Sequence, residues 1–83
     1  MNKVLITVFV PMLEEKYDMF IPINKKIGTV KKHIIDNLLE LSKYSEINTS
    51  NIRVYDKDSN ICYDENLYVK ESGIINGSRL VLM

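Results

Sequence analysis

The chain has 83 residues, and its eleven basic and eleven acidic side chains give a formal net charge of zero at pH 7. This length suits one domain, 1–83, and a hydrophobic fraction of 46% is well above that of disordered chains. The balanced charge argues against a nucleic-acid partner, because nucleic-acid-binding domains carry a basic excess on one face. Cys62 is the only cysteine, so no disulfide can form within the chain, and a reducing, cytoplasmic compartment is expected.

The apolar run from Val4 to Val10 is too short to span a bilayer, which takes about 20 residues. Its β-branched residues, and the lack of a small-residue cleavage site after it, also argue against a signal peptide. We therefore expect no direct membrane insertion. Any recruitment to the inner face of the membrane would go through a partner protein.

Two strands are predicted at the start of the chain, because apolar residues alternate with a period of two over 3–10 and again over 17–24. Pro11 ends the first strand, and residues 12–16 connect it to the second. Pro22 lacks the N–H that a central strand needs, which places the second strand at a sheet edge. The two strands are expected to form a hairpin. The first strand directs Val4, Ile6, Val8 and Val10 to one face, and Leu5, Thr7 and Phe9 to the other.

An amphipathic helix is predicted over 27–43, where the apolar spacing changes to three and four residues. Its stripe consists of Ile27, Val30, Ile34, Leu38 and Leu41, widened by Ile35 and Leu39. His33 lies beside this stripe and is interpreted as a solvated histidine rather than a ligand. A polar loop with Ile47 as its main aliphatic residue is expected to follow.

The second half of the chain predicts a third strand over 52–55, a turn over 56–60 and a short fourth strand over 61–63, in which Cys62 would be half-buried. The acidic turn raises the possibility of a calcium loop. However, Ile61 stands where such a loop needs glycine, and no pair of flanking helices is predicted. The hairpin turn is therefore the favoured interpretation.

The closing segment contains an apolar group, a sharp turn and a last strand. Leu67, Val69 and Ile74 are expected to fill the open end of the core, and Asn76 and Gly77 are residue types that tolerate positive φ. Leu80 and Leu82 then point inward from a strand that we place between the first and the third, parallel to the first. These elements give an α+β fold of the β-grasp (ubiquitin-like) type: a mixed sheet of four to five strands with one helix across one face.

The sequence offers no catalytic constellation. It has one histidine and one cysteine, and it lacks a Gly-rich phosphate loop, a carboxylate pair spaced for acid–base chemistry and a zinc-ligand cluster. We therefore predict a protein that is not an enzyme, with no catalytic, cofactor-binding or metal-binding residues and no small-molecule substrate. Binding to other proteins is the function that remains.

The outer face of the predicted sheet is the candidate binding surface. Apolar and aromatic side chains interleaved with arginine are typical of protein–protein contacts. The alternative is that these are scattered surface hydrophobes of the kind that any protein carries. Thr7 and Met83 share this face, and the predicted protein-binding residues are Leu5, Phe9, Arg53, Tyr55, Arg79 and Val81.

Three stretches resemble the YukD/EsaB family of ubiquitin-like proteins. Val30-Lys31-Lys32 with the following isoleucines resembles the family's helix opening, and Ile52-Arg53-Val54 before a charged turn resembles its third strand. Residues 73–80 resemble the family's Gly-Ile-x-Asn-Gly-Asp-Arg-Leu, with Ser78 in place of Asp. The resemblance implies a cytosolic accessory protein of type VII (WXG-type, Ess) secretion in Gram-positive bacteria, whose partners are protein components of the secretion machine.

Two alternatives stay open at this point. Ubiquitin-like modifiers and sulfur carriers end in a mobile diglycine tail, whereas this sequence ends in its last predicted strand, so conjugation through the terminus would require a native chain that continues beyond Met83. The chain could also be a ubiquitin-like cytoplasmic domain taken from a membrane component of a secretion system. An adaptor that acts by protein–protein binding is the favoured interpretation.

Overall fold

The computed structural model describes residues 2–42 and 51–83, with the backbone alone for 39–42. The predicted loop around Ile47, and the predicted inward side chains of Leu39 and Leu41, lie outside the described residues. The elements are β1 (Lys3–Val10), β2 (Glu15–Pro22), α1 (Ile27–Ser42), β3 (Val54–Asp56) and β4 (Arg79–Leu82), with 3₁₀ turns at Pro11–Leu13 and Val69–Glu71. None of the helices within the described ranges is long and apolar enough to cross a membrane.

The described strands form a four-stranded mixed sheet in the order β2-β1-β4-β3. β1 is antiparallel to β2 and parallel to β4, and β4 is antiparallel to β3. The last strand therefore lies between the first and third and runs parallel to the first, which is the placement predicted for it. β2 is at the edge of the sheet, and Pro22 is its last residue, opposite Lys3. The architecture confirms the predicted α+β β-grasp fold.

The core lies between the inner face of this sheet and α1. The predicted inward residues of the first, third and last strands and of the helical stripe are buried wherever the structure describes their side chains, apart from Val4, which is partly buried against the core. On the apolar side of β2 and just after it, Ile21 is buried, whereas Tyr17, Met19 and Ile23 are partly buried. His33 is exposed, as predicted. The buried residues are Ile6, Val8, Val10, Ile21, Ile27, Val30, Ile34, Ile35, Leu38, Ile52, Val54, Val69, Ile74, Leu80 and Leu82.

β2 begins two residues earlier than the sequence pattern predicts. Glu14 adopts a left-handed conformation with φ of 53°, and its N–H donates to the Pro11 carbonyl at 3.0 Å. This tight turn reverses the direction of the chain within residues 11–14, so that Glu15 already pairs with Val10. The polarity of residues 14–16 conceals this pairing, because their side chains are exposed.

The predicted fourth strand over 61–63 is wrong. This segment makes one isolated β-bridge, between Tyr55 and Cys62. Two hydrogen bonds of 2.9 Å hold the bridge: the Asp56 N–H donates to the Ile61 carbonyl, and the Tyr63 N–H donates to the Val54 carbonyl. The ladder does not extend beyond this bridge. Cys62 is exposed at this short edge rather than half-buried in a strand.

The apolar group before the last strand is predicted correctly for two of its three members. Val69 and Ile74 are buried, but Leu67 is exposed. Leu67 ends a turn in which its N–H donates to the Asp64 carbonyl at 3.1 Å, and the turn keeps the side chain at the surface. Leu67 contributes to the fold through its backbone instead, because its carbonyl accepts the Ile27 N–H at the start of α1, at 2.9 Å.

The turn into β4 uses Gly77 and Asn76 in different ways. Gly77 has φ of +89°, as its residue type predicts, whereas Asn76 does not adopt a positive φ. Instead, the Asn76 side-chain oxygen accepts the Leu5 N–H at 2.7 Å, and the Gly77 N–H donates to the Leu5 carbonyl at 2.8 Å. The Ser78 hydroxyl accepts the Ile75 N–H at 2.9 Å, so serine closes this turn where the family pattern has Asp.

Candidate protein-binding site

An aromatic row crosses the outer face of the sheet. Phe9 of β1 pairs with Val81 of β4, and Val81 pairs in turn with Tyr55 of β3. Side chains at directly paired positions share a face and lie next to one another. All three are half-buried, with the helix on the opposite side of the sheet. We call Phe9, Val81 and Tyr55 the aromatic row.

A lysine covers one end of the aromatic row. The Lys57 ammonium lies 4.9 Å from the centre of the Phe9 ring, which is the geometry of a cation–π contact. The Lys57 backbone N–H also donates to the Arg79 carbonyl at 2.9 Å, so the lysine is fixed next to β4. The row therefore presents a positive charge beside its aromatic surface.

A polar row runs next to the aromatic row. Thr7 pairs with Arg79, and the Thr7 hydroxyl donates to the Asp18 carboxylate at 2.7 Å. The Arg79 guanidinium binds the Asp58 carboxylate of the 56–60 turn, with an Nε–Oδ2 distance of 3.4 Å for one of its two contacts. Both members of this ion pair are exposed, so the pair stabilises the fold only weakly and leaves both groups available to a partner.

Leu5 is separated from the aromatic row by the polar row. Its neighbour is Phe20 of the edge strand, and the two side chains are 41% and 59% exposed. Phe20 is a surface aromatic that is absent from the predicted protein-binding residues, all of which belong to the first, third and last predicted strands. The signal for it is present in the alternation of β2, where Phe20 falls on the same side as Asp18 and opposite the buried Ile21.

Arg53 belongs to the rim of the surface rather than to its centre. Its guanidinium lies 3.8 Å from the Glu65 carboxylate. Glu65 also binds the Lys31 ammonium of α1 at 2.8 Å, and Lys31 donates further to the Ile52 carbonyl at 3.0 Å. The contact with Glu65 therefore directs the end of Arg53 around the β3 edge towards the helix.

The structure thus brings together Phe9, Tyr55 and Val81, with Arg79 alongside, and places Leu5 and Arg53 at two separate margins. In residues 2–42 and 51–83 there is no group of three or more His, Cys, Asp or Glu side chains placed to hold a metal ion. The chemistry that this face offers is an aromatic and aliphatic contact area bordered by charged groups, which suits recognition of a protein surface.

No protein-family model and no curated protein sequence matches the chain. Solved structures share its fold over the full length of the chain. The ubiquitin-like domain of the type VII secretion protein EccD1 of Mycobacterium tuberculosis superposes with a TM-score of 0.74 and 14% identity, covering 100% of this chain and 99% of that one. The ubiquitin-like domain of an Arabidopsis thaliana protein gives a TM-score of 0.67 and 21% identity, covering 100% and 78%.

A chain of the ESX-5 inner membrane complex also contains this fold. It matches with a TM-score of 0.71 and 15% identity, covering 100% of this chain and 21% of that larger chain. These identities show the fold alone. The chain has the ubiquitin-like β-grasp fold, and it is structurally similar to the ubiquitin-like domain of a type VII secretion protein.

Proposed function

We propose that this chain is a non-enzymatic adaptor of a bacterial type VII secretion system, which acts in the cytoplasm by binding a protein component of the secretion machine. The observation that carries the proposal is the aromatic row, an apolar contact area on the open face of a ubiquitin-like sheet. The structural likeness to the EccD1 domain supports the choice of system, and the resemblance of residues 73–80 to the YukD/EsaB pattern supports it independently.

The composition of the surface supports binding as its role. Interface centres are enriched in aromatic residues and arginine, and a small number of such residues carries most of the binding free energy. Phe9 and Tyr55 supply the aromatic area, while Arg79 and Lys57 border it with positive charge. A partner with an apolar patch and neighbouring carboxylates fits this arrangement.

Deletion of the gene tests the proposed system. We expect export of the small helical substrates of the type VII apparatus to fall, and a secretion component to copurify with the tagged protein from wild-type cells. Unchanged export, together with no secretion component in the purified material, would contradict the proposal.

Paired substitutions test the proposed surface. Phe9→Ala combined with Tyr55→Ala removes most of the aromatic area, and we expect it to abolish recovery of the secretion component. Ile75→Ala is the matched control, because Ile75 is a 66% exposed apolar side chain outside the row. Both proteins are first compared by thermal unfolding. If recovery survives the double substitution in a folded protein, the aromatic row is not the docking surface.

A second candidate is favoured by one observation, the match to part of a larger chain in the ESX-5 inner membrane complex. In this alternative the ubiquitin-like fold serves as the cytoplasmic domain of a membrane component. The native reading frame distinguishes the two candidates. Continuation beyond Met83 into apolar spans would support the membrane component and contradict the free adaptor.

A further inference from the structure

Four lysines lie together at one end of the molecule, where β1 begins and β2 ends. Lys3 opens β1 and pairs with the last residue of β2, and Lys25 and Lys26 follow in the connection to α1. The Lys70 N–H donates to the Ile23 carbonyl at 3.0 Å, which brings the second 3₁₀ turn alongside this connection. We call Lys3, Lys25, Lys26 and Lys70 the basic end.

The positive charge of the basic end is largely uncompensated. All four lysines are exposed, and none of the ion pairs among the described residues involves one of them. Glu71 is the acidic neighbour of Lys70, and its carboxylate accepts the Tyr68 N–H at 3.1 Å. Glu14 and Glu15 lie in the turn that closes the opposite end of the β1–β2 hairpin. A chain of zero net charge thus places a positive excess at one end of its sheet.

An aromatic side chain lies among these lysines. Tyr68 forms an isolated antiparallel β-bridge with Lys26, so the two side chains are neighbours on one face. The Lys70 ammonium lies 5.8 Å from the centre of the Tyr68 ring. Tyr68 is 40% exposed, and the preceding residue, Leu67, is 37% exposed. The basic end therefore combines several ammonium groups with apolar surface that a ligand can reach.

This combination of groups suits an anionic lipid surface. Lysine is a flexible point charge, which matches a diffuse layer of headgroup charge without requiring a fixed bidentate geometry. Tyrosine is an amphipathic side chain that favours the headgroup level of a bilayer. A nucleic acid fits less well, because a chain of zero net charge lacks the basic excess that nucleic-acid-binding domains carry.

We propose that the basic end binds the surface of an anionic phospholipid bilayer, with its lysines against the headgroups and the Tyr68 ring at the boundary with the acyl chains. The contact is peripheral, and no element spans the bilayer. It adds a direct lipid contact to the recruitment through a partner protein that the sequence predicts. The basic end shares no residue with the aromatic row, and the proposal does not depend on a role in secretion.

Vesicle flotation tests the proposal. We expect the wild-type protein to float with vesicles of phosphatidylcholine and phosphatidylserine in equal parts, and to stay in the soluble fraction with phosphatidylcholine alone. Binding should fall steeply between about 0.05 M and about 0.5 M salt, because the screening length shortens. Soluble glycerophosphoserine and a short DNA duplex serve as competitors. Neither should release the protein when its phosphate concentration equals that of the vesicles.

Matched lysine variants locate the contact. Lys26→Gln removes one charge from the basic end, and Lys16→Gln removes the same charge from an exposed lysine beside the acidic turn. We expect Lys26→Gln to weaken binding to the anionic vesicles about fivefold, and Lys26→Gln combined with Lys70→Gln about 25-fold. Lys16→Gln should change binding little. Thermal unfolding first establishes that each variant is folded.

A fluorescent reporter tests the orientation on the bilayer. The chain contains no tryptophan, so Tyr68→Trp introduces a single indole at the basic end. Met12→Trp is the control, because Met12 is 51% exposed in the turn at the opposite end of the hairpin. On anionic vesicles, the emission of the Tyr68→Trp protein should shift to shorter wavelength and become less sensitive to acrylamide. The emission of the Met12→Trp protein should not change.

Several outcomes would overturn the proposal. These are equal binding to the two kinds of vesicle, no binding to either at low salt, equal losses for Lys26→Gln and Lys16→Gln, or equal emission shifts for the two tryptophan variants. Release by glycerophosphoserine would assign the lysines to a small phosphate ligand, and release by the duplex would assign them to nucleic acid; both contradict a bilayer contact. Should a variant fail to fold, the dependence of wild-type binding on phosphatidylserine and on salt decides the question.

Discussion

Gly77 holds a backbone conformation that other residue types adopt only with strain. Its φ of +89° lies in the region that a Cβ disfavours, although an added Cβ would meet no heavy atom within 4 Å. Gly77→Ala should therefore lower the free energy of unfolding by about 1–2 kcal/mol through backbone strain alone. Urea denaturation measures this loss. Gly77→Asn should lose less, because asparagine tolerates positive φ better, and an unchanged Gly77→Ala protein would contradict the assigned turn.

Ionisation of the Tyr63 hydroxyl makes the free energy of unfolding depend on pH in the alkaline range. Burial raises the pKa of its hydroxyl above the ordinary value of 10.0, and the nearby Asp56 carboxylate adds to the shift. The folded state therefore holds this proton more tightly than the unfolded state. Its contribution to stability is complete below pH 10.0 and is lost as the pH rises through the raised pKa.

The Tyr63→Phe variant tests this linkage because it has no hydroxyl to ionise. Over the range from about pH 9 to about pH 11.5, the free energy of unfolding should fall more steeply for the wild type than for the variant. Urea denaturation at each pH supplies both curves. Parallel curves would show that the Tyr63 hydroxyl has the same pKa in the folded and unfolded states.

At the scale of the elements, one core cluster joins α1 to the strands of the sheet. Ile34 and Leu80 are buried in one core cluster. Truncation of either to alanine leaves a cavity, and we expect a loss of about 2–5 kcal/mol out of a total of roughly 5–10 kcal/mol. Thermal and urea unfolding check both variants, with Ile75→Ala as an exposed control. Near-wild-type stability of Ile34→Ala and Leu80→Ala would contradict the core described above.

Elements with one buried face could be predicted from the sequence, and elements defined by single distant contacts could not. The alternation of β1 and the three-four spacing of α1 arise because one side of each element is buried. Every second residue of the strand, and every third or fourth residue of the helix, is therefore apolar. The bridge at Cys62 rests on two hydrogen bonds and leaves no such period. The same limit applies to the site: the pairing of Arg53 with Glu65, and of Asn76 with Leu5, joins residues that no local pattern connects.

At the scale of the whole molecule, the two faces of the sheet differ. The helix covers the inner face and closes the core, whereas the aromatic row lies across β1, β4 and β3 on the open face. The same sheet thus supplies the core on one side and the proposed binding surface on the other.

Complementation of the deleted gene tests the central claim most directly. Wild-type protein and the Ile75→Ala control should both restore export of the small helical substrates. The folded Phe9→Ala, Tyr55→Ala protein, produced at the same level, should restore little or none of it. Full restoration of export by that double variant would contradict the claim that the chain acts in secretion by binding through its aromatic row.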